Sequence, residues 1–199
     1  MKFSYTIFLI VVLCLAFLPR ASSNDRFSRE VKRATGDLNK DGLNDLAIVT
    51  QDTTDATWPY RLQIFFKQTN GEYKLILSTE KALDPRFPDG QYGYKTGDDF
   101  DDIVIAKGIL VISVQLLRGH YEHKFRYQNM NFELIGFSMA GSDGKGTIST
   151  RDFNLSTGTL LEIEERYDSD KVISNKKSKL LIRPLPKLQD FQPMQSQLY

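Results

Sequence analysis

Cysteine is nearly missing from this chain. Of 199 residues only Cys14 carries a thiol, and it lies in an apolar segment near the start. Everything after that segment is therefore without disulfides, thiolate metal sites or a cysteine nucleophile. Histidine is almost as scarce: only His120 and His123 occur. Three apart on a strand, they point to opposite faces, and a zinc site needs further ligands. Net charge is also small, with 26 basic and 25 acidic residues, so no global argument favours nucleic acid as a partner. Long apolar runs are confined to one at the N-terminus. No transmembrane segment is expected beyond it, and no stretch shows a sustained helical stripe.

What is present begins with that run. Lys2 precedes twelve unbroken apolar residues, Ile7 to Leu18, and Pro19-Arg20-Ala21-Ser22-Ser23 follows. A charged start, a short apolar stretch and small residues before a cut make a secretory signal peptide, removed between Ser23 and Asn24. A membrane span needs about 20 apolar residues, which sets the uncleaved-anchor alternative behind cleavage. The expected destination is the periplasm or the exterior. Cys14 follows Leu13, where a lipoprotein signal would carry a small residue, so no lipid attachment is read there. Cleavage leaves 176 residues, enough for one core. The expected layout is a signal peptide at 1–23, one β domain at 24–187 and a flexible, polar C-terminal tail at 188–199.

The domain reads as short strands broken by turn signals. In YRLQIFFKQ, Leu62, Ile64 and Phe66 share one face, a period of two. Asn70-Gly71 and Lys107-Gly108 read as tight hairpin turns. YKLILS, DIVIA, ILVISVQLL, YEHKFRYQ, FELIGFSM, TISTRDFN and TLLEIEE continue the series, while EVKRATGD is ambiguous between strand and loop. Such spacing predicts an all-β antiparallel meander of roughly 8–10 short strands. Curved sheet, barrel, sandwich and propeller-like fragment all remain compatible with it.

One turn is unusually acidic. GDLNKDGLND puts Asp37, Asn39, Asp41 and Asp45 at positions 1, 3, 5 and 9 of a loop with Gly42 at position 6. Alternate side chains of a curled loop converge, the glycine permits the bend, and the Leu43 carbonyl can turn inward. Hard oxygen donors in that number suit calcium. An EF-hand is excluded, because its twelfth position would be Ile48 and a strand follows in place of a helix. The competing reading is a metal-free Asx-type turn, since Asp, Asn and Gly are also common turn residues. A single such loop is expected to be structural rather than catalytic.

The pattern D-x-N-x-D-G-x-x-D ahead of a buried strand resembles the calcium loop of FG-GAP repeats, found in integrin alpha chains and in secreted bacterial proteins. That resemblance implies Asp37, Asn39, Asp41 and Asp45 as side-chain ligands and Leu43 as a main-chain one. More broadly, GDDFDDIVIAKGILVIS (Gly97 to Ser113), HKFRYQNMNFELIGF (His123 to Phe137) and RDFNLSTGTLLE (Arg151 to Glu162) resemble, in order, segments of a family of uncharacterised exported bacterial β proteins. It implies a secreted β fold and no particular reaction. In that family's pattern a glycine stands where this chain has Met130, and a proline where it has Asp99.

Other clusters are weighed against plainer roles. GDDFDD gathers Asp98, Asp99, Asp101 and Asp102; Asp98 or Asp101 would serve an envelope hydrolase, but neighbours on one loop rarely flank a single bond as paired carboxylates must. GFSMAG has the wrong spacing for a nucleophile elbow, so Ser138 reads as a strand residue. GSDGKG opens no helix and reads as a hairpin loop. Lys171 to Lys187 carries six basic residues and no acid; it reads as an edge strand, SKLLIRP, guarded by lysine and proline, or as a face for anionic surfaces. Asn154 begins a glycosylation sequon that matters only in a eukaryote. The leading expectation is an exported calcium-binding β domain that acts as a non-enzymatic binding module for a protein or glycan at the cell envelope. The alternatives are the Asp98/Asp101 hydrolase and an inhibitor or immunity-type protein.

Overall fold

The computed structural model describes residues 25–94, 99–169 and 171–193; the expected signal segment 1–23 lies outside them. Eleven strands follow in chain order: β1 (Arg29–Gly36), β2 (Asp45–Gln51), β3 (Tyr60–Lys67), β4 (Tyr73–Thr79), β5 (Asp99–Ala106), β6 (Ile109–Leu116), β7 (Gly119–Gln128), β8 (Asn131–Ser142), β9 (Thr147–Asn154), β10 (Thr159–Arg166) and β11 (Val172–Lys179). Each pairs antiparallel with its neighbours in sequence, giving a four-stranded sheet β1-β2-β3-β4 and a seven-stranded sheet β5 through β11. The fold is all-β, with one strand more than the upper expectation because EVKRATGD forms β1. The two sheets stay open and do not close into a barrel.

Burial follows the period-two pattern. On β3, Leu62, Ile64 and Phe66 enter the main core, as do Leu110, Ile112 and Val114 on β6 and Tyr121 and Phe125 on β7, with His123 buried on the same face of β7. The core thus draws on the inner faces of both sheets. β2 is buried nearly throughout because both of its faces are covered. Ala47 and Val49 face the main core, while Leu46 and Ile48 meet Phe65 and Tyr73 in a small second cluster. The sheets abut along β1 and β5, where Lys32 pairs with Asp102 at 3.4 Å. A Cβ on Gly36 would lie 2.6 Å from Ile105 Cγ2, so only glycine permits this approach. At the start of the described chain, Phe27 is buried between the guanidinium groups of Arg26 and Arg61, and Asp25 accepts both of Arg61's terminal nitrogens.

The turns carry their expected chemistry with one refinement. Lys107 and Gly108 both have positive φ, 53° and 74°, as a two-residue hairpin turn of type I′ requires. At Asn70-Gly71 only Gly71 is left-handed; the loop closes with Gly71 N donating to Gln68 O and Gln68 N to Glu72 O, the three-residue type. Asn129 and Met130 form another I′ turn, with φ of 51° and 58°, and Met130 holds it without a glycine.

Two expectations about the C-terminal part are corrected. The free edge strand is β11, Val172–Lys179, and not SKLLIRP; it pairs with β10 alone and is exposed almost throughout. Residues after Lys179 leave the sheet and return to the core. The polar tail expected from residue 188 instead begins with anchored residues, Leu188 and Phe191, buried together with Leu185. Leu188 N donates to Phe132 O and Leu134 N to Pro186 O, so the returning segment occupies the half of β8 that β9 leaves unpaired. Gln189 O accepts from the Thr79 hydroxyl of β4, which ties the segment to the other sheet as well. The reason is physical: QDF hides one aromatic among polar residues, and the opening between the sheets takes it. Residues 194–199 lie outside the described chain.

Two outcomes are expected. Phe191→Ala lowers unfolding free energy by about 3–5 kcal/mol, the usual range for emptying a buried aromatic site, read from urea denaturation of the folded domain. The second concerns His123, 1% exposed among Tyr121, Phe125, Phe137 and Phe191, where burial pushes its pKa down from 6.5 to about 3. Protonation therefore favours the unfolded chain. Its contribution to stability is complete above pH 6.5 and falls as pH drops toward 3, by at most about 1.4 kcal/mol per unit. Denaturation at pH 7 and pH 5 should show this loss, and His123→Phe should flatten it.

Candidate functional site

The acidic loop fills residues 37–44 between β1 and β2, so strand pairing fixes both ends: Gly36 faces Asp45 in register. The loop folds around two carboxylates. Asp37 Oδ1 accepts from Lys40 N (2.6 Å) and Asp41 N (3.2 Å), and its Oδ2 from Gly42 N (2.9 Å). Asp45 is fully buried. Its Oδ2 accepts from Leu38 N at 2.8 Å and its Oδ1 from Lys67 N at 3.0 Å, which joins the loop to the end of β3. Burial pushes the Asp45 carboxyl up, against the pull of these backbone N–H groups, and the nearby Asp41 charge adds to the rise.

The remaining side chains are more open. Asn39 Oδ1 accepts from Asp41 N, Asn39 Nδ2 donates to Asp41 Oδ2 at 2.8 Å, and Asp41 Oδ1 accepts from Leu43 N at 2.8 Å. Gly42 bends the chain with φ of 83°. Lys40 is left-handed as well, at 66°, and Leu38 packs beneath the loop into the main core. The loop rests against the β5–β6 turn: a Cβ on Gly108 would meet Lys40 Cε at 3.6 Å and Asp37 O at 3.7 Å.

Four of the five expected ligands thus sit in the loop and Asp45 at the first position of β2, but the side-chain oxygens of Asp37, Asn39, Asp41 and Asp45 are engaged with backbone and side-chain amides. Among the described residues no group of three or more acidic, histidine or cysteine side chains stands close enough to hold a metal ion. The donor set still fits calcium chemically, with three carboxylates, a side-chain amide and the Leu43 carbonyl. A carboxylate oxygen that accepts one N–H keeps a second lone pair, so the amide bonds do not exhaust the set.

Asp98 lies outside the described residues. Asp101 is exposed at a bulge of β5, and Asp102 is paired with Lys32. His120 points outward and His123 inward on β7. Ser138 lies on β8, where its hydroxyl accepts from Lys124 and donates to Glu122. GSDGKG forms the β8–β9 hairpin loop, closed by Asp143 accepting from Lys145 N and Thr147 N. No helix among the described residues is long and apolar enough to cross a membrane.

Two further features lie outside the sequence expectations. Asp52, buried in the β2–β3 loop, accepts from the Thr54 hydroxyl and from the N–H groups of Thr54 and Asp55; the repeated Asp-x-Thr spacing of DTTDAT is the signal that marks it. Arg126 and Arg183, 57 residues apart, meet in one cleft. Only the tertiary fold brings them together.

Asp45→Ala should cost about 2–6 kcal/mol, because one buried and one part-buried backbone N–H group lose their acceptor at roughly 1–3 kcal/mol each. The loss should already be present in chelator, where only these backbone bonds are at stake, read by thermal and urea denaturation. Asp45→Asn should recover part of it, since the amide oxygen can still accept. No family model, curated protein or solved structure matches this chain, so the site is read from its own chemistry alone.

Proposed function

We propose that this chain is an exported, non-enzymatic β domain that binds calcium in its 37–45 loop and serves as a binding module for a protein or glycan at the cell envelope. The observation that carries the reading is the loop's donor set. Oxygen side chains stand at alternate positions around a left-handed glycine, on a frame that Asp37 and Asp45 already organise. Asp37, Asn39, Asp41, Asp45 and the Leu43 carbonyl would hold the ion. Calcium supplies positive charge to three carboxylates that otherwise repel one another. Its role is to stiffen the entry to β2.

Export is supported by the apolar leader and by the first anchored residues: a cut before Asn24 leaves the Asp25–Arg61 pair and buried Phe27 intact. The non-enzymatic reading rests on how the acidic residues are employed. Asp45 holds backbone, Asp102 holds Lys32, and Asp101 stands on an exposed bulge.

Calcium should raise the melting temperature of residues 24–199 in a concentration-dependent way. At ten times the dissociation constant the gain is about 1.4 kcal/mol, or roughly 3–6 °C for a domain this size. Asp41→Ala, at an exposed position, should abolish the rise while leaving the calcium-free melting temperature within a few degrees. Calorimetry without a heat of calcium binding would overturn the metal assignment. A pull-down from envelope extract, with and without chelator, tests the binding role.

A further inference from the structure

A second polar feature stands apart from the acidic loop. The tip of the β7–β8 hairpin, the β9–β10 turn and the segment returning from β11 enclose a cleft of about 400 Å³, within the range of small-ligand sites. Arg126, Gln128 and Glu133 line it from the outward side of β7 and β8; Ser156, Arg183, Pro184 and Leu185 complete it.

The two guanidinium groups are placed without a carboxylate partner. Arg183 Nη1 donates to Leu155 O (3.0 Å) and Ile182 O (2.6 Å), and its Nη2 to Ser156 O (2.8 Å). Backbone carbonyls fix its orientation and leave its charge un-neutralised. Arg126 stands directly opposite Glu133 in strand register, the usual arrangement for a cross-strand ion pair. Yet Glu133 Oε2 accepts from Gln128 Nε2 at 2.6 Å and its Oε1 from Asn129 Nδ2 at 3.4 Å. Arg126 makes no hydrogen bond or ion pair among the described residues. A guanidinium presents paired N–H donors that match the two oxygens of a carboxylate or phosphate.

We propose that this cleft binds the oxyanion, carboxylate or phosphate, of a small polar ligand. Arg126 is the principal contact and Arg183 a pre-oriented second one. The Ser156 hydroxyl and the Gln128 and Asn129 amides are placed for the ligand's neighbouring hydroxyl groups, and Pro184 and Leu185 form the apolar wall. The assignment does not depend on calcium in the 37–45 loop.

The test is an NMR titration of the folded domain, at constant ionic strength, with inorganic phosphate and with glucuronate in separate arms and chloride as control. The readouts are the arginine Nε–H signals and the backbone amides of Ser156 and Arg183. Saturable shifts are expected in one arm or both: phosphate alone identifies a phosphate ligand, glucuronate alone a carboxylate, and both the shared oxyanion chemistry. Arg126→Gln should weaken binding at least tenfold without moving the melting temperature, and Arg183→Lys should weaken it less. Repeating the titration in chelator should change nothing, which separates this outcome from that of the calcium reading. Shifts that chloride reproduces, no saturation in either arm, or equal affinity in the Arg126→Gln protein would overturn the assignment.

Discussion

A buried carboxylate bound to main-chain amides organises the first sheet. Asp45 receives Leu38 N from the loop and Lys67 N from the end of β3, so one side chain sets where β2 begins and how the loop lies against it. Such a group is costly to bury unless its hydrogen bonds are made. The cost here is offset by donors from two separate segments. The loop inherits a fixed frame from this link, and Leu38 takes its place in the main core directly beneath it.

The two sheets join without covalent help. Local pairing accounts for every strand neighbour, which keeps most contacts short in sequence. Three longer-range connections make one body of them: the close approach of β1 to β5 at Gly36, the shared aromatic core, and the returning segment from Leu185 to Phe191. The core is rich in aromatic edges. Phe66 meets Tyr127 at 4.9 Å between ring centroids, and His123 meets Phe191 at 4.7 Å. Those contacts bridge the sheets and the returning segment, where no disulfide is available.

The strands were legible because one-sided burial writes an alternating pattern. Leu62, Ile64 and Phe66 announce their face directly, and the Lys107-Gly108 turn announces its conformation. Where burial is two-sided, as on β2, alternation disappears and length and composition must stand in for it. The edge strand was misplaced because VISNKKSK buries almost nothing and so carries no period, whereas LLIRP looks more apolar than its position requires. Leu188 and Phe191 were hidden for the opposite reason: a few anchors suffice to hold a segment whose other residues face water. Of the candidate site, the residue set and the bend at Gly42 could be read from spacing. That Asp45 holds backbone amides could not, because its partner Lys67 lies 22 residues away. The Arg126–Arg183 cleft was invisible for the same reason.

The returning segment also bears on how the chain is made. Synthesis runs from the N-terminus, so all eleven strands leave the ribosome before Leu188 and Phe191 do. Until then the aromatic wall of β7 and β8 has no cover along one side, and Leu134 N and Phe132 O lack the main-chain partners that Pro186 and Leu188 supply. A nascent chain at that stage exposes sticky apolar surface and an unsatisfied strand edge together, the combination that invites chaperones or aggregation. The returning segment supplies the last of these partners, so the cover of the aromatic wall comes from the end of the described chain.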